Sequence, residues 1–171
     1  NTLGNHYGLT KLKWIQQHQP ELYERTWKFL LWGSFIPFML GAEPAVDYSL
    51  ANRTLLIDVD RCNWSDELLK LTGLDRTKLP DVVPAGTVIG QVSGQTAHEL
   101  GLPANVAIVA GGHDQCLNAV GCGVIQPGRA MYGMGTYLCA VPVFTQLREP
   151  ASMMRLGLNT EHHDDDYLAI V

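Results

Sequence analysis

The spacing of apolar positions changes several times along the chain, and each change predicts an element. Residues 9–18 set Leu12, Ile15 and Trp14 on or near one side, the pattern of an amphipathic helix. Pro20 opens a second predicted helix over 21–31, since proline suits a first helical turn. A third helix, over 34–40, carries Pro37 near its start and ends at Gly41. The aromatic and leucine stripes of these segments are core packing. Residues 43–60 read as irregular with short strands, and 55–59 (Leu-Leu-Ile-Asp-Val) have strand composition. Ser65 caps a helix over 66–71, with acidic residues in its first turn and Gly73 after its end. Residues 75–84 are polar and hold Pro80 and Pro84, which predicts a loop or extended arm. A strand over 86–92 and a short helix over 96–100 follow.

The chain is organised around 106–123. Val106 to Ala110 form an unbroken apolar run, which predicts a strand buried on both faces, as in a parallel sheet. Gly111 and Gly112 then let the backbone turn tightly, and His113 and Asp114 lead into a helix bearing Cys116, Leu117 and Val120. Asp114 thus stands where a strand ends and a helix begins, and in open α/β sheets the carboxyl ends of strands form the ligand crevice. Two readings fit it: a helix cap, or a general base at the mouth of a cleft. Further on, 129–143 predict two strands joined by a tight turn at Gly135-Thr136. That turn is either an ordinary hairpin or a set of N–H groups and a hydroxyl offered to a phosphate.

Composition narrows the function classes. The formal net charge is −5 with no basic cluster, against a nucleic-acid-binding surface. Cys62, Cys116, Cys122 and Cys139 form no Cys-x-x-Cys pair, so neither a zinc motif nor a thioredoxin-type motif is predicted. Reduced thiols in a cytoplasmic protein are the expectation. Cys116 lies close to Asp114, which allows a reactive thiol, but a small buried filler is the reading favoured. No signal peptide is visible, and the most apolar stretch, 29–42, is interrupted by Gly33, Ser34 and Pro37 and is too short to cross a bilayer. His162-His-Asp-Asp-Asp166 lacks the spacing of a calcium loop and reads as a solvated acidic turn; the metal expectation is none. A strand over 167–171 should need a partner. No Gly-x-Ser-x-Gly elbow supports a serine hydrolase.

Together these stretches resemble the FGGY family of carbohydrate kinases. Gly111-Gly112-His113-Asp114-Gln115 is similar to the family's Gly-Gly-x-Asp segment, and Gly133-Met-Gly135-Thr136 to its second phosphate-contacting turn, with Tyr137 in place of the usual serine. Upstream, Lys11-Leu-Lys-Trp14-Ile-Gln-Gln-His18 resembles the end of the first family signature, whose beginning is unmatched at His6 and Gly8. Asp47-Tyr-Ser-Leu-Ala-Asn-Arg-Thr54 resembles Asp-x-Ser-x-Ala-Ser-x-Thr, and Trp64-Ser-Asp-Glu-Leu-Leu69 resembles Trp-Ser-x-x-Leu-Leu. The resemblance covers most of 9–143.

The resemblance implies an α/β chain with the two-lobed, actin-like ATPase (ribonuclease H-like) fold, only partly covered. Such kinases are roughly three times this long, beyond one ordinary core, so the chain is expected to be an internal fragment that is inactive alone. Residues 1–126 would be the C-terminal part of the sugar-binding domain, and 127–171 the start of the nucleotide-binding domain, divided at the turn Gln126-Pro127-Gly128. Asp114 would be the catalytic base, His113 and Gln115 candidate substrate contacts, and Gly135 and Thr136 contacts to ATP phosphate. The implied cofactors are ATP and Mg²⁺; the implied partner is a small sugar or polyol, with no nucleic acid and no membrane, in a possible homo-oligomer. The alternative is a non-catalytic sugar- or nucleotide-binding paralogue.

Overall fold

The computed structural model describes residues 4–103, 105–136, 138–146, 149–163 and 166–170. Helix α1 (Gly8–His18) buries Leu12 and packs Leu9 and Ile15 on the first core. Trp14 is 52% exposed and stacks on His18. It follows Leu12 by two residues, about 200° around a helix of about 3.6 residues per turn, so the two cannot share a face. Helix α2 (Pro20–Arg25) starts on Pro20 but is shorter than predicted. Residues 27–31 run instead as irregular chain beside the 3₁₀ turn Arg76–Lys78, where Phe29 N donates to Lys78 O at 2.7 Å and Lys78 Nζ to Thr26 O at 2.7 Å. This path lays Phe29 and Leu31 on the first core, a tertiary gain that outweighs helical propensity. Helix α3 (Trp32–Leu40) ends on Gly41 at φ +116°, where a Cβ would sit 3.0 Å from Gln91 O.

Strand β1 (Ala45–Asp47) runs straight into α4 (Tyr48–Asn52), a short helix the apolar pattern does not predict. The hairpin strands β2 (Ile57–Asp58) and β3 (Asn63–Trp64) precede α5 (Asp66–Thr72), which Ser65 caps by accepting from Leu68 N at 3.3 Å. The predicted arm over 75–84 contains a strand, β4 (Asp81–Val83), paired parallel to β1 with Ala45 opposite Asp81. Pro80 and Pro84 flank it, where no ladder N–H is required of them.

Strand β5 (Val88–Gln91), helix α6 (Gly94–Leu100) and strand β6 (Ala107–Val109) come next. The expected doubly buried parallel strand is corrected here. Among the described residues β6 pairs only with β5, antiparallel, and it buries Ile108 while Ala107 and Val109 are exposed. A short apolar run specifies a strand but not the direction of its partner.

Helix α7 (Asp114–Gly121) follows, then the predicted hairpin of β7 (Ala130–Met134) and β8 (Leu138–Phe144). Helix α8 (Pro150–Arg155) leads to β9 (Asn159–His163) and β10 (Asp166–Ile170). These strands form an antiparallel sheet in the order β7-β8-β10-β9, so β10 is paired on both sides. A second core holds α7 to the hairpin through Cys116, Ala119, Val124, Met131, Val141 and Val143. Strand β9 also meets α4, where Asn52 Nδ2 donates to Thr160 O at 2.6 Å.

Candidate active site

The loop from β6 to α7 is seated on the start of α4. Asp47 caps α4, accepting from Ser49 N at 2.8 Å and Leu50 N at 3.3 Å. The Ser49 hydroxyl donates to Asp47 Oδ2 and in turn accepts from His113 N at 2.8 Å. Burial pushes the Asp47 carboxyl above its ordinary pKa, against the opposing hydrogen bonds from Ser49 and Leu50. Gly112 suits this closeness: a Cβ there would crowd Ser49 Oγ at 3.1 Å and Asp47 Oδ2 at 3.3 Å. The buried chain Asp47–Ser49–His113 therefore fixes where α7 begins.

His113 is the N-cap residue of α7 and Asp114 its first residue. The Asp114 side chain is 77% exposed, and its Oδ1 accepts from Gln115 N at 2.8 Å. Asp114, His113 and Gln115 line a cavity of about 700 Å³ together with Gly135 and Thr136 of the hairpin turn; Arg53, Asn118, Tyr132 and Asn159 add to its polar wall. The five residues singled out in the sequence thus face one space. Gln115 reaches across it, its Oε1 lying 3.5 Å from where a Cβ of Gly133 would stand. A helix start and a tight turn on one cavity are both sources of backbone N–H groups, which suits a phosphate chain such as that of ATP. Tyr137, which replaces the family serine, lies outside the described residues.

Behind this wall lies a buried group that sequence reasoning missed. Glu161 of β9 is 0% exposed, and three elements converge on it. Arg53 Nη1 stands 3.2 Å from its Oε1, Cys116 Sγ donates to its Oε2 at 2.9 Å, and His113 Nδ1 lies 3.3 Å from that same oxygen. The other ring nitrogen of His113, Nε2, lies 3.3 Å from Asp114 Oδ1. Burial, reinforced by the Glu161 carboxylate, pushes the Cys116 thiol well above the ordinary range, so it is a proton donor here. Arg53 also lies over the Tyr7 ring, 4.9 Å from its centroid. All four cysteines are free. Arg53 stood within the quoted Asp47–Thr54 motif, but nothing local to Glu161 marked it.

The acidic run His162-His-Asp-Asp-Asp166 crosses the β9–β10 connection, with Asp164 and Asp165 outside the described residues. His162 packs edge-on against the Tyr48 ring, 5.0 Å between centroids. Among the described residues, the ligand-type atoms that converge are His113 Nδ1, Cys116 Sγ and Glu161 Oε2, all within 4.8 Å of one another. That set does not fit magnesium, which takes oxygen ligands in an octahedron. No helix among the described residues is long and apolar enough to cross a membrane.

Comparison with solved structures defines the class. The chain is similar to a xyloylose kinase from Brucella ovis with a TM-score of 0.83 at 26% identity, covering 94% of this chain and 33% of that one. A xylulose kinase from Rhodospirillum rubrum gives a TM-score of 0.85 at 21% identity, covering 98% of this chain and 34% of that one. The fold is therefore that of the actin-like ATPases as FGGY carbohydrate kinases build it, about a third of which is present here. A sequence model described as the FGGY family of carbohydrate kinases, N-terminal domain, matches residues 1–121, and the chain belongs to that family. The autoinducer-2 kinase of Yersinia enterocolitica is 34% identical over 129 residues, 75% of this chain and 24% of that protein. The xylulose kinase of Escherichia coli K12 is 34% identical over 126 residues, 74% of this chain and 26% of that protein. The chain thus spans about a quarter of the length of these curated relatives.

Proposed function

We propose that this chain carries the general base and one phosphate-binding turn of a kinase that moves the γ-phosphoryl group of ATP to a hydroxyl of a sugar or polyol. The observation that carries the reading is that Asp114, at the start of α7, and Gly135-Thr136, at the hairpin turn, line one cavity. Phosphoryl transfer is catalysed mainly by positioning and by neutralising charge. The acceptor hydroxyl would give its proton to an Asp114 carboxylate oxygen as its own oxygen bonds to the γ-phosphorus, and the bond from phosphorus to the bridging oxygen of ADP would break. Gly135 and Thr136 would hold the phosphate by hydrogen bonds, and Gln115 would touch the acceptor. In this reading the chain divides at Gln126 and Pro127, with Asp114 on the sugar side of the cavity and Thr136 on the nucleotide side.

The test is ADP release by the full kinase carrying this chain, with ATP and magnesium, across ketoses, sugar acids and polyols. One acceptor should stimulate release, and Asp114→Asn should lower turnover by about two to four orders of magnitude while acceptor binding survives. Near-normal turnover in that variant would remove Asp114 from the role. Tight binding of ATP or sugar without stimulated release would select the non-catalytic paralogue.

A further inference from the structure

His113 presents a problem of hydrogen counting. Its Nε2 faces Asp114 Oδ1 and its Nδ1 faces Glu161 Oε2, each at 3.3 Å. A neutral imidazole carries one N–H and can donate to one of these two oxygens, which leaves the lone pair of the other nitrogen for a cation. Glu161 Oε2 meanwhile also holds Cys116 Sγ at 2.9 Å, and Sγ lies 4.0 Å from His113 Nδ1. A nitrogen, a sulfur and an oxygen thus surround one point in the protein.

We propose that His113 Nδ1, Cys116 Sγ and Glu161 Oε2 bind a single divalent ion of the zinc class, separate from any magnesium that accompanies ATP. Four features of the geometry support this. First, bond lengths of about 2.0–2.3 Å to zinc put neighbouring ligand atoms of a tetrahedron about 3.4–3.6 Å apart. The observed separations of 3.3, 2.9 and 4.0 Å straddle that range, so small side-chain adjustments complete the set. Second, the donors are those zinc prefers, and they are not those of magnesium. Third, an ion on Nδ1 fixes the hydrogen on Nε2, where it donates to Asp114; a metal-bound histidine ordinarily gives its second N–H to a carboxylate in this way. Fourth, Arg53 occupies Glu161 Oε1 at 3.2 Å and leaves Oε2 to the ion.

Binding is balanced without a redox partner. The ion replaces the thiol proton that Cys116 otherwise gives to Glu161, and that proton leaves to solvent. Three protein ligands leave a tetrahedral ion one position for a fourth ligand such as water. The ion would thus sit one side chain behind the carboxylate of Asp114 and hold the imidazole that orients it.

The experiment is a cobalt titration of the chelator-stripped protein, followed by absorption. Co²⁺ should give a thiolate-to-metal charge-transfer band together with intense tetrahedral d–d absorption. Both should saturate at one equivalent, be bleached by one equivalent of Zn²⁺ and be untouched by excess Mg²⁺. Cys116→Ala and Glu161→Gln, shown to be folded by circular dichroism, should lose the band, whereas Cys122→Ala should keep it. A wild-type protein that takes up Co²⁺ without a thiolate band, or takes up none, overturns the proposal with no variant required. So does a band that survives Cys116→Ala. None of these readouts uses kinase activity, so the metal site and the Asp114 assignment stand or fall separately.

Discussion

Arg53→Met tests whether the buried carboxylate of Glu161 is held by charge or merely by shape. The Glu161 side chain is 0% exposed and that of Arg53 25%, with Nη1 to Oε1 at 3.2 Å. At an effective dielectric of about 20, two unit charges about 4 Å apart attract by about 4 kcal/mol. Methionine keeps the apolar contact with the Tyr7 ring and removes only the cation. The Glu161 carboxyl would then lie in the interior with only the thiol of Cys116 and the ring of His113 beside it. Breaking a buried pair in this way costs about 3–5 kcal/mol, and the partial exposure of Arg53 places this case near 3. Glu161→Gln leaves instead an arginine that reaches solvent, and should cost about 1–2 kcal/mol. The double variant strands no charge, so it should fall short of the sum of the two by about 2 kcal/mol. Urea unfolding with chelator present, followed by circular dichroism, reads all three. With a slope of about 2 kcal/mol per molar, Arg53→Met should lower the midpoint by about 1.5 M. A loss under about 1 kcal/mol, or a double variant additive within about 0.5 kcal/mol, would refute the charge argument.

Two further outcomes follow from the seat of α7. Gly112→Ala drives a Cβ to 3.1 Å from Ser49 Oγ and 3.3 Å from Asp47 Oδ2, so it should lower stability by about 1–3 kcal/mol in the same urea assay; an unchanged midpoint would show that the loop is not held against α4. Asp47 has its folded-state pKa raised by burial, so the folded protein binds this proton more tightly than the unfolded chain does. Its contribution is therefore fully present below the unfolded value of 3.8 and is lost as pH rises through the raised folded value. Asp47→Asn should flatten the stability–pH profile over that acidic window, and a profile parallel to wild type would deny that Asp47 is the group responsible.

Much of this was legible where structure is set locally. Ser65 announces α5, Gly41 and Gly73 end their helices in the left-handed region, and the Gly135-Thr136 turn joins β7 to β8, because caps and turns depend on a few adjacent residues. The position of Asp114 at a strand-to-helix junction is of the same kind. What the pattern could not give is pairing across the chain. The direction of β6, the strand between Pro80 and Pro84, and the premature end of α2 are all decided by partners far away in sequence. Glu161 is the extreme case. Its contacts are with Arg53, 108 positions earlier, and Cys116, 45 positions earlier, and its own surroundings read as a polar stretch.

The segment from Asp47 to Thr54 shows why a motif can be visible while its meaning is not. In the sequence it is a run of residues with no evident chemistry. In the fold its first half supplies Ser49, whose hydroxyl accepts from the backbone N–H of His113, and Asp47, which accepts from Ser49 in turn, and together they set where α7 starts. Its second half supplies Asn52, which ties β9 to α4, and Arg53, which balances Glu161. The orientation of Asp114 therefore depends on α4 twice: through the backbone of His113 from below, and through Glu161 and the His113 ring from behind. A carboxylate that is 77% exposed needs such support if it is to act at a fixed point, since packing cannot fix its rotamer. The residues that position Asp114 are consequently spread over three elements, and only the fold brings them to one point.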